Sequence, residues 1–146
     1  MGVEFVLSTE EQRISDPLLK GDVTMGGRIK PIVGAWVTAS VIAYLAVQNI
    51  FNPAMPAPAF EPMLSPVPAT AVFWIVAILF FDWAVQRTGK TILTALVIAA
   101  SWILLVDFNY VLIGRRAIQP ALYSAVIILV IWCAAAAVYD KLSESS

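Results

Sequence analysis

Histidine is absent from all 146 residues, and cysteine occurs once, at Cys133. Haem, copper and zinc in membrane proteins are usually held through imidazole, with thiolate and carboxylate as the main substitutes. No cofactor or metal is therefore expected to be ligated by this chain. A lipid, or a cofactor held by neighbouring subunits, is what would lie beside it. Charge is scarce as well, at 13% of residues against the roughly 25% usual in soluble domains. The net charge of −1 comes with no cluster of Lys and Arg, which excludes nucleic acid as a partner.

Apolar residues take the place of the missing ones: 60% of the chain is hydrophobic and its mean hydropathy is +0.84. Uncharged stretches run from Pro31 to Phe60, Pro62 to Phe81, Thr91 to Val106 and Ala117 to Tyr139. A helix needs about 20 apolar residues to cross the hydrocarbon core, so four crossings fit. The continuous runs lack the alternation of barrel strands. The expected fold class is an all-α integral membrane protein, a four-helix bundle with helices near 31–51, 69–86, 91–113 and 118–139. The expected parts are an irregular N-terminal arm (1–30), the transmembrane domain (31–139) and a short C-terminal tail (140–146). The first 30 residues contain no apolar h-region, so the first helix is expected to direct its own insertion.

Basic residues near helix ends indicate orientation. Lys20, Arg28, Lys30, Arg87, Lys90 and Lys141 fall on the side of the termini, and Arg115 and Arg116 fall opposite. Both termini are thus expected in the cytoplasm, with the chain multi-pass in a bacterial-type inner membrane. Arg115 and Arg116, in a short loop, are expected to touch lipid headgroups.

Local chemistry sets the boundaries. Pro31 suits the first turn of a helix, where its missing N–H would be unpaired anyway. In the arm, Ser8 and Glu11 have capping-box spacing, which predicts a turn or two of helix before Asp16 and Pro17. Gly89 predicts a tight turn between helices two and three. The loop from Asn52 to Pro68 holds six prolines and one charge, Glu61, a composition that favours extended backbone. Its Met55, Phe60, Met63, Leu64 and Val67 predict that this external segment is packed against the membrane surface, the other helices or a partner.

Two carboxylates fall inside the predicted helices, and an ionisable group there is a functional hypothesis because burying it is costly. Counted at 1.5 Å per residue from the turn, Asp82 and Asp107 are separated by about 17 Å of depth, too far for a catalytic pair or a shared metal. Asp82, beside Trp83, is expected to be satisfied by water, headgroups or Arg87. Asp107, with Asn109 close by, has two readings. The favoured one is an interhelical tie to Tyr110, Tyr123, Ser124 or a partner's arginine; the other is a proton or cation stop in a transport path. Ala35, Ala39 and Ala43, four apart, form a stripe that lets another helix approach closely. Trp102 falls mid-helix, and Cys133 reads as a small buried apolar residue.

No nucleophile and base stand together, so an enzyme is not expected. The expected function is a non-catalytic accessory subunit of a larger membrane complex, of respiratory, photosynthetic, monooxygenase or multi-component transporter type. Its partners would be other integral membrane subunits and lipids. The alternative is a small homo-oligomeric proton- or cation-coupled transporter or channel using Asp107.

Overall fold

The computed structural model describes residues 25–56 and 61–145. The Ser8–Glu11 capping box, most of the arm, Phe60 and Pro58 lie outside the described residues. In hydrocarbon every backbone polar group must be paired within the segment, and continuous apolar runs meet that condition as helices. Among the described residues four helices follow, each long and apolar enough to cross a membrane. Helix α1 is Met25–Ala46, extended by a five-residue π-helical stretch, Val47–Phe51, and a 3-10 turn, Asn52–Ala54. Helix α2 is Pro66–Thr88 and α4 is Ile118–Glu144. Helix α3 is the span Thr91–Leu112, in which a π-helical stretch, Ile103–Phe108, interrupts the α geometry. The arrangement is compatible with a multi-pass membrane helical bundle.

Pro31 lies inside α1 and not at its start. Without an N–H it leaves the Gly27 carbonyl lacking its usual helical donor, but the helix continues through that defect. The turn before it carries Arg28, whose ion pair to α2 gives that turn a tertiary anchor. The proline-rich loop is also shorter than its composition suggests. Pro53 sits in the 3-10 turn and Pro66 and Pro68 in the first turn of α2, where a missing N–H costs nothing. At the other end of α2, Gly89 takes φ +64° and its N–H reaches the Val85 carbonyl at 2.8 Å, closing the helix and turning the chain toward α3.

Helix α1 packs most extensively on α4. Ala35, Ala39 and Ala43 are buried in that core, together with Ala135 and Ala136 of α4. At Gly34 an added Cβ would run into the Leu142 side chain and stand 3.2 Å from Val138 Cγ1, so side chains of α4 rest directly on the α1 backbone there. The rest of the centre is filled by large rings. Trp74 and Phe81 of α2, Trp102 of α3 and Trp132 of α4 stack edge-on or tilted, with centroids 5.5–5.8 Å apart. Small residues on one seam let helices approach closely, and wide rings on the other fill the wider spacing. Cys133 is exposed on α4, not buried as its residue type suggested, because its neighbour Trp132 takes the inward position.

Candidate functional site

The embedded charges form two clusters, one at each end of the bundle. At the end bearing Met25 and Ser145, Asp82 of α2 receives the guanidinium of Arg28 from α1 as an ion pair, with Arg28 Nε also 3.4 Å from Oδ1. The Tyr139 hydroxyl of α4 donates to Asp82 Oδ1 at 2.5 Å. That hydroxyl in turn accepts from Gln86 Nε2 at 3.3 Å. One carboxylate thereby joins three helices, and both of its oxygens are bonded. Arg87, the partner suggested by sequence proximity, lies instead 5.7 Å over the ring of Trp83.

At the opposite end, Asp107 stands in the π-helical stretch of α3, 3% exposed. Its partner is Arg116, which contradicts the expected ties to Tyr110, Tyr123 or Ser124. The loop geometry explains the pairing. Gly114 adopts φ +69°, a left-handed value that glycine takes without steric cost. The chain then folds back, and the N–H groups of Arg115 and Arg116 both donate to the Tyr110 carbonyl, at 2.9 and 3.1 Å. The Arg116 side chain is brought under the helix end, between the rings of Phe51 (5.1 Å) and Tyr110 (5.2 Å). Its guanidinium is therefore turned to Asp107 and two aromatic faces, whereas Arg115 is exposed. Asn109, two residues after Asp107, is exposed.

The second cluster is incompletely bonded. Asp107 Oδ2 and Arg116 Nε are buried and have no hydrogen-bond partner among the described residues. Nine residues separate the two groups in sequence, against 54 and 57 for the contacts of Asp82. Asp82 and Asp107 share no partner, and the geometry gives no acid–base couple between them. Among the described residues, no three Cys, Asp or Glu side chains come together in a metal-binding group.

Between the helices, on the side of the Asp107 cluster, lies an apolar cleft of about 350 Å³. Phe51, Phe73, Trp74 and Trp102 line it with Ile127 and Ile128 of α4. Trp102 is thus a wall of an internal cleft and part of the ring cluster. Sequence reasoning had no means of finding this cleft, since its lining comes from all four helices. Compared with family models, with curated proteins and with solved structures, the chain matches none.

Proposed function

We propose that the chain is a non-catalytic accessory subunit of a larger membrane protein complex, with both termini cytoplasmic and the proline-rich segment on the outer face of a bacterial-type inner membrane. The observation that carries this reading is the uncovered state of that segment: Met63 is 98% exposed, and Leu64 and Val67 are exposed beside it. Apolar side chains held on stiff backbone outside the bundle are suited to burial against another protein. The two embedded carboxylates support the same reading. Each is neutralised inside its own chain, which suits groups that tie helices together better than groups that pass protons along a line.

The transporter alternative requires Asp107 to be free at an oligomer axis, and its pairing with Arg116 weighs against that. Isolation of the tagged protein from native membranes in mild detergent tests the proposal. A stoichiometric membrane partner should co-purify, and Met63→Glu with Leu64→Glu should release it. A free monomer with no partner contradicts the reading.

A further inference from the structure

We propose that Arg116 is a clasp that holds the outer half of α3 in a π register, and that without it this half rewinds to a continuous α register in which Asn109 replaces Asp107 on the inner face. An α-helix advances about 100° per residue. In the first half of α3, Thr94, Ala95, Ile98 and Ala99 mark the buried face. Continued at that pitch, the helix would aim Asn109 within about 10° of the centre of that face and Asp107 about 150° away from it. The structure has the reverse: Asp107 is 3% exposed and Asn109 is exposed. The π-helical stretch Ile103–Phe108 accounts for the exchange. A π turn holds one residue more than an α turn, so the side chains after it are set back by about 100°. That brings Asp107 to about 50° from the centre and carries Asn109 to about 110°.

What holds this rare geometry lies outside the stretch, whose residues ILLVDF include neither Gly nor Pro. In α1 the matching stretch, Val47–Phe51, has a local cause: Pro53 cannot donate to the Asn49 carbonyl and crowds it. Phe51 is thereby a fixed platform, packed against the core. In α3 the pair takes the place of a proline. Arg116 lies on the Phe51 ring, binds Asp107 as an ion pair, and holds Tyr110 through its backbone N–H and its guanidinium face. With the guanidinium removed, an inward Asp107 has no charged partner among the described residues, and burial of a lone charge is costly. Rewinding then restores the regular i→i+4 bonding of an α-helix across the stretch.

Spin labels on the full chain in reconstituted vesicles test this, read by collision with oxygen dissolved in the lipid. In a Cys133→Ala background, one label is placed by Asn109→Cys and a control by Val97→Cys, an exposed position before the π stretch. With Arg116 present both labels should meet oxygen freely. Arg116→Gln should lower the collision rate at position 109 severalfold and leave position 97 unchanged. An unchanged rate at position 109 in a folded Arg116→Gln protein would overturn the clasp. Deletion of Leu105 removes the extra residue of the stretch, so Asp107 should face inward in plain α geometry. That protein should fold with the label at position 109 exposed, and adding Arg116→Gln should leave it exposed. A buried label at position 109 in the deletion protein would overturn the register assignment, whether or not Arg116→Gln folds in the full chain.

Discussion

At the end of the bundle that carries the chain termini, Asp82 gathers an arginine from α1 and a tyrosine from α4, so three helices meet on one carboxylate. At the other end Asp107 has one partner among the described residues, Arg116, drawn from the loop that follows its own helix. The side chains of the first pair are 28% and 5% exposed, and those of the second 11% and 4%. The same chemical pair thus does two jobs. The long-range cluster fixes how helices stand beside one another. The local one fixes a loop over a helix end, and its deeper burial comes with two unbonded atoms.

This difference sets an order of mutational cost. Removing one member of a buried pair strands the other, typically at about 3–5 kcal/mol. Arg116→Gln should therefore be the most damaging, since it leaves Asp107 with no charged partner. Arg28→Gln should cost less, about 1–3 kcal/mol, because Tyr139 still donates to Asp82 and the lost guanidinium is the more exposed of the two arginines. Tyr139→Phe should cost about 1 kcal/mol, the worth of one hydrogen bond with Arg28 still in place. Gly34→Ala should be smallest, since the nearest obstruction is the flexible end of Leu142, and Val138 needs to move only slightly. Unfolding of each purified protein by denaturant in mixed micelles measures all four. An Arg28→Gln cost equal to that of Arg116→Gln would erase the proposed distinction between the two ends.

The helices themselves were legible in the sequence, because hydropathy over 20 residues depends on composition and not on partners. Gly89 and the small stripe at Ala35, Ala39 and Ala43 were legible for the same reason, as local steric requirements. The partner of Asp82 was not. Pro31 reads as a helix start, which removes Arg28 from the helix, and no local rule shows that a tertiary ion pair carries the helix back past a proline. Arg116 was obscured differently. An arginine pair in a short loop ordinarily belongs to headgroups, and only the left-handed turn at Gly114 redirects one of the two. The π-helical stretches at Val47–Phe51 and Ile103–Phe108 have no sequence signature of their own, yet the first lines the cleft and the second begins directly after Trp102, a residue of its wall. Irregular turns of this kind are common at functional positions.

The central claim is that both embedded carboxylates are internal ties. Double-mutant cycles test it most directly, with Asp107→Asn and Arg116→Gln at one end and Asp82→Asn and Arg28→Gln at the other, read by unfolding in the same micelles. Coupling of at least about 1 kcal/mol is expected in both cycles, and more in the Asp107–Arg116 cycle. Additive losses at either end would mean that the charges there act independently and would contradict the account.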